Sequence, residues 1–307
     1  MIDEGSRDSG AIAPLRGSRG PRLPFEEGGR SILVALVSTV VVFAILAVVV
    51  VNAPGWPQFR EKFLDGAIFA ESLPKIVDKF WVNVRLFLIA EVIILVWGLA
   101  LAVMRSLPGP VFFPIRLLAT IYVDVFRALP GLLVISMLGL GIPGLQIPGV
   151  PNDPFLWAVV ALSLLYSAYV SEVYRAGIES VHPSQAAAAR SLGLSELQAL
   201  RYVVVPQAVR RVIPPLLNDF IGLQKDTVLV SIIGVVEIFR QSSILQSAKF
   251  NYTPLLATAL VFLVVTIPLA RFTDWLIARE SRRRQGGSGG RTRAADSRGR
   301  SRSGGRL

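Results

Sequence analysis

The chain has 307 residues, 52% of them hydrophobic and 17% charged, with a formal net charge of +11 and a mean hydropathy of +0.56. Without cysteine and with a single histidine, His182, it can build no disulfide, iron-sulfur cluster, Cys/His zinc site or cysteine nucleophile. No G-x-x-x-x-G-K-[ST] loop occurs, so the chain lacks a phosphate cradle and any ATP energy must come from a partner. Such a composition belongs to an all-α integral membrane protein, with no cofactor or metal expected on the chain itself.

Residues 1–30 mix Gly, Pro and Arg with acids and read as a disordered arm. Ile32 to Val51 then runs twenty residues without a charge, one bilayer crossing at about 1.5 Å per residue. A cleaved signal peptide would have a shorter apolar stretch, and Asn52-Ala53-Pro54 is a poor cleavage site, so a retained helix is predicted. Residues 31–79 thus comprise an extra N-terminal helix and an external amphipathic loop, in which Phe59, Phe63 and Ala67 share one helical face.

Apolar segments follow at 80–104, 111–142, 155–174, 207–236 and 254–277. The second of these would stretch to about 48 Å as one helix, against a hydrocarbon core of roughly 30 Å. The prediction is therefore an interfacial helix over 111–121, a crossing over 122–142, and six crossings in all. Residues 279–307 hold ten arginines against Glu280 and Asp296, a net of +8 without an aromatic, and read as a disordered tail. Arginines also crowd the N-terminal arm and residues 175–211, whereas the 143–154 loop has no Lys or Arg. Because cytoplasmic loops are enriched in Lys and Arg, both termini are predicted to be cytoplasmic.

Two motifs are decoys. Gly139-x-Gly141-x-x-Gly144 matches a dinucleotide fingerprint but ends a transmembrane segment and contains Pro143, where a strand-to-helix turn is required. Asn251-Tyr252-Thr253 is a glycosylation sequon too short to carry weight. The informative stretch is the polar, alanine-rich loop at 176–206. Ser184 to Leu192 reads as a short helix stopped by Gly193. Ser195 and Gln198 form a capping box that opens a second helix, which Pro206 is expected to close. The loop is a helix-Gly-helix elbow.

The elbow resembles that of the permeases of bacterial ABC importers for polar amino acids, whose pattern is E-A-A, three residues, Gly, nine residues, then I-x-L-P. Here Ala187-Ala188-Ala189, Gly193 and Val203-Val204-Val205-Pro206 stand at that spacing. Ala168-Tyr169, Glu172, Arg175, Gly177-Ile178, Pro206-Gln207-Ala208, Asn218 and Lys225-Asp226-Thr227 also fall where that subfamily has such residues, and Tyr122 to Pro130 looks like its Y-x-[ED]-x-x-R-x-x-P segment. The resemblance covers about residues 80–278 and implies a type I importer transmembrane domain in the bacterial plasma membrane. It further implies an external solute-binding protein, cytoplasmic ATPase subunits, and an elbow of Ala187, Ala188, Ala189, Leu192, Gly193, Leu194 and Pro206 that couples to them. Two departures stand out: Ala187 replaces the motif glutamate, and Ser184 replaces the usual Gly before Gln185. A partner permease retaining the glutamate would make this chain half of a heterodimer.

Charges within the spans each require a reason. Arg127 is expected to pair with Asp124 one turn away, and Asp124, Arg127 and Glu172 to hold helices together. Arg85 and Glu91 are six apart and cannot pair along one helix. In the fifth span Asn218, Asp219, Gln224 and Lys225 are the candidate substrate pathway, with Asn218, Gly222 and Lys225 on one face. Glutamate or glutamine is the favoured substrate. The competing readings are a secondary amino-acid transporter without an ATPase, or a membrane-tethered protein whose basic tail binds RNA or anionic lipid. The absence of tail aromatics disfavours nucleic acid.

Overall fold

A computed structural model describes residues 28–300, with side chains described from Ile32 to Arg279 except that of residue 197. The expected N-terminal arm lies outside this range, apart from its last three residues. Every regular element among the described residues is helical. The chain divides into two compact units, the first ending at Phe59 and the second beginning at Arg60.

The first unit contains α1 (Gly28–Val51) and the first half of the short α2 (Trp56–Phe63). From Ile32 onward every residue of α1 is exposed, and all but Ser38 and Thr39 are apolar, which is tolerable only with lipid or another protein around it. The single helical face predicted for Phe59, Phe63 and Ala67 does not persist. The chain breaks after Phe63, Asp65 caps a new helix by accepting the amides of Ala67 and Ile68, and Ala67 therefore leaves the helix that carries Phe59 and Phe63.

The second unit is built on α3 (Gly66–Ser106), which packs along α7 (Pro154–Glu179). Leu86, Ala90 and Ile94 of α3 interlock with Ala158, Ala161 and Leu162 of α7 in the main core. The opposite face of α3 presents Trp81, Leu88, Val92 and Val96 outward, an apolar exterior suited to a membrane. Small residues allow close crossings: a Cβ on Gly98 would stand 2.8 Å from Val170 Cγ1.

Between them lie α4 (Phe113–Ala128), α5 (Gly131–Ser136), a π turn (Met137–Gly141) and the three-residue α6 (Ile142–Gly144). The helix does not divide near 121 as predicted; it continues to Ala128 and bends by 105° before Gly131. Pro130 is the cause, since it supplies no amide hydrogen and holds Leu129 extended, at ψ 138. The glycine decoy has a packing explanation, because a Cβ on Gly139 would stand 2.5 Å from Ile233 Cδ1.

After α7 come α8 (Pro183–Ser191), α9 (Glu196–Ala199), a π turn (Leu200–Val204) and α10 (Val205–Asp226). A 3₁₀ segment (Thr227–Ile233) follows, ending at the left-handed Gly234 (φ 92°), then α11 (Ile238–Lys249) and α12 (Thr253–Arg300). Among the described residues four helices are long and apolar enough to cross a membrane, or up to six when each of two bent pairs makes one crossing. The expected count of six is that upper figure. Helical backbone continues to Arg300 where a disordered tail was expected from 279; the tail's side chains after Arg279 and its last seven residues lie outside those described.

Candidate functional site

The elbow is capped at both of its helices. His182 Nδ1 accepts the Ser184 amide at the start of α8, and the end is a Schellman turn. Gly193 N–H donates to Arg190 O at 2.9 Å and Leu194 N–H to Ala189 O at 3.3 Å, with Gly193 at φ +90°. The capping box forms reciprocally: Ser195 N–H donates to Gln198 Oε1 at 2.9 Å, and Gln198 N–H donates to Ser195 Oγ at 3.3 Å. Leu192 is 83% exposed at the tip, while Ala189 is buried and Ala187 and Ala188 lie on the outside of the turn. This is a stiff projection with an apolar point.

Pro206 does not end the second arm. Residues 200–204 widen into a π turn in which Val205 N–H donates to Leu200 O, which accommodates a residue with no amide hydrogen. The arm therefore runs without interruption into α10. At the root of the elbow, Arg211 of α10 donates to Ser180 O, and a Cβ on Gly177 would collide with Val212 Cγ2.

Glu172 lies two turns before the end of α7 and gathers charges from three helices. Its Oε1 pairs with Arg105 of α3 and lies 3.7 Å from Arg127 of α4, while its Oε2 accepts from Arg175 at 2.7 Å. Arg175 in turn holds Glu179 at 2.8 Å. The structure thus corrects the pairing of Arg127, whose ion pair is with Glu172 across to α7. Asp124 is exposed. Beside Glu172 a cavity of about 390 Å³ extends to Ser180, Arg211 and Pro215.

The fifth-span residues part company. Asn218 and Lys225 are exposed with Gly222 half-buried between them, the shared face that their spacing predicts. Asp219 is half-buried, and its Oδ2 is enclosed without a hydrogen-bond partner. Tyr166 donates to Asp226 Oδ2 at 2.7 Å. Gln224 departs from the expectation: it is 7% exposed and accepts from Thr266 of α12 at 3.1 Å, so it faces away from Asn218. Arg85 and Glu91 do not pair, and the Arg85 guanidinium lies 6.0 Å from the Phe155 ring centre.

A buried polar knot escaped notice in the sequence. Asn83 Nδ2 donates to both Thr227 Oγ1 and Glu237 Oε2 at 3.0 Å, and Asn83 Oδ1 accepts the Ile238 amide at 3.1 Å. Glu237 is fully enclosed, yet it also caps α11 through the amides of Phe239 and Arg240. The sequon is likewise structural. Asn251 is 4% exposed, with its side chain bonded to Glu61 O and the Thr253 amide.

An all-helical membrane domain with a capped elbow between α7 and α10 is the architecture of a transport permease. The chain belongs to the family of binding-protein-dependent transport system inner membrane components, matched over residues 94–282. It is 34% identical over 214 residues to the probable glutamine ABC transporter permease protein GlnM of Bacillus subtilis (strain 168), covering 69% of this chain and 96% of that one. It is 32% identical over 221 residues to the glutamate/aspartate import permease protein GltK of Escherichia coli O157:H7, covering 70% and 97%. A crystal structure of an amino acid ABC transporter with histidines superposes with a TM-score of 0.64 at 32% identity, covering 70% of this chain and 98% of the other. The chain is thus a multi-pass permease subunit with a type I importer fold.

Proposed function

We propose that the chain translocates a polar amino acid, with glutamate or glutamine favoured, as one permease of an ATP-driven importer. The observation that carries this is the doubly capped elbow mounted on α7 and α10, supported by the likeness to permeases of glutamine and of glutamate and aspartate. An external binding protein delivers the amino acid, two cytoplasmic ATPase subunits close on ATP, and the elbow around Ala188, Gly193 and Leu194 seats in a cleft of one ATPase. Coupling requires an element with two discrete arrangements, and a helix that cannot flex at its ends passes closure on as rocking of the helices it joins.

Asn218, Asp219 and Lys225 line the path in this reading, because an amino acid leaving water must find fixed donors and acceptors. Gln224 supports the path from behind through α12. A second permease completes it, and Ala187 in place of the motif glutamate favours a different chain as that partner. Both termini face the cytoplasm. Purification of the chain with its associated subunits is the test: expected are a co-purifying ATPase and ATP hydrolysis that rises when binding protein loaded with glutamine or glutamate is added. Amino-acid uptake by liposomes holding this chain without an ATPase would overturn the reading.

A further inference from the structure

We infer that Glu172 is the joint through which movement of the elbow reaches α3 and α4, making it a positioning residue for transport. The inference rests on the coupling role proposed above. From Glu172, α7 runs two turns to Glu179, and only Ser180, Val181 and His182 separate it from α8. Force on the elbow therefore enters α7 at its end. Those two turns are braced by charge, since Glu172, Arg175 and Glu179 form a ladder along one face.

Beyond α7 the carboxylate holds Arg105 and Arg127, both in the last turns of their helices. Cations there also oppose the negative helix ends, which aligns helix field and ion pair. Arg105 and Glu172 are 13% and 17% exposed, so their attraction is weakly screened. Arg127 is different: it is 44% exposed and stands 3.7 Å away, so it can tighten or release as α4 shifts. On the α10 side, the cavity of about 390 Å³ borders Glu172, whose ion pairs with Arg105, Arg127 and Arg175 run to α3, to α4 and along α7. The elbow's root is thus clamped to α10 by Arg211 and Gly177, and to α3 and α4 through one carboxylate.

The test measures uptake per ATP hydrolysed in liposomes holding the complete importer, using whichever of the twenty amino acids the parent takes up fastest. Glu172→Gln should keep the stimulated ATP hydrolysis while uptake per ATP falls by about two- to thirtyfold. Arg127→Gln, at a half-exposed position with one long contact, should assemble normally and lower the ratio in the same direction by less. If Glu172→Gln does not assemble, Arg127→Gln decides. An unchanged ratio in the assembled variants overturns the joint, as does a loss of hydrolysis and uptake in equal proportion, which would place the defect at the elbow. Failure of the coupling reading itself would instead appear as Gly193→Val retaining full stimulation and uptake.

Discussion

Gly177 of α7 and Val212 of α10 approach so closely that a Cβ on the glycine would collide with Val212 Cγ2. Three residues on, Ser180 O accepts from Arg211, so the helices on either side of the elbow are locked where it begins. Gly177→Ala must displace a β-branched side chain with few rotamers, and overpacking of this kind costs about 1–3 kcal/mol. Complex yield and thermal midpoint in detergent should fall in Gly177→Ala and recover when Val212→Ala is added. Parental values in the single variant would show that the crossing is looser than described.

Gly193 has open space where a Cβ would go but a φ of +90°, so a substitution there is opposed by the backbone alone. Gly193→Val should cost roughly 1 kcal/mol or more and misdirect the second arm, with Gly193→Asn milder because Asn tolerates the left-handed region. Stimulated ATP hydrolysis is expected to drop in the order Gly, Asn, Val while capture of substrate by the binding protein stays normal. Full stimulation by the valine variant in an assembled complex would remove the elbow from coupling.

The path assignment separates Asn218 from Asp219. Asn218 is exposed within the subunit and Asp219 is half-buried with an unpartnered oxygen. Asn218→Ala should leave complex yield intact and change the ranking of competing amino acids in uptake, whereas Asp219→Asn should alter apparent affinity. If yield falls and the ranking stays parental, these groups are scaffold.

The knot around Asn83 predicts a stability effect without a change in selectivity. Asn83→Leu strips Thr227 and the enclosed Glu237 of a donor and the Ile238 amide of its acceptor. Leaving such groups unsatisfied costs about 1–3 kcal/mol each. A lowered unfolding midpoint with unchanged amino-acid ranking is expected, and a midpoint equal to the parent would show that water replaces the amide.

Orientation can be read directly because the chain has no cysteine. Ser288→Cys should resist an impermeant maleimide added to intact cells and react once the membrane is opened. Labelling from outside would invert the assigned topology.

The sequence by itself determined the helical membrane class, the long apolar segments, and both caps of the elbow. Each of these is encoded locally: hydropathy over one span, a glycine for a left-handed residue, a serine three positions before a glutamine. It also placed Asn218, Gly222 and Lys225 on one face, because helical spacing is a property of the chain alone. Tertiary structure alone decided which charges meet. Arg127 takes Glu172 over Asp124, 45 residues away in place of three, because the ends of α3, α4 and α7 converge. Gln224 is turned into α12 and Asn83 reaches Glu237 across 154 residues. The bend at Pro130 and the passage of the helix through Pro206 divide in the same way, since a proline states that regular hydrogen bonding fails there. Whether the chain then turns by 105°, as after Ala128, or widens into a π turn and continues, as at Leu200–Val204, depends on the helices packed around it.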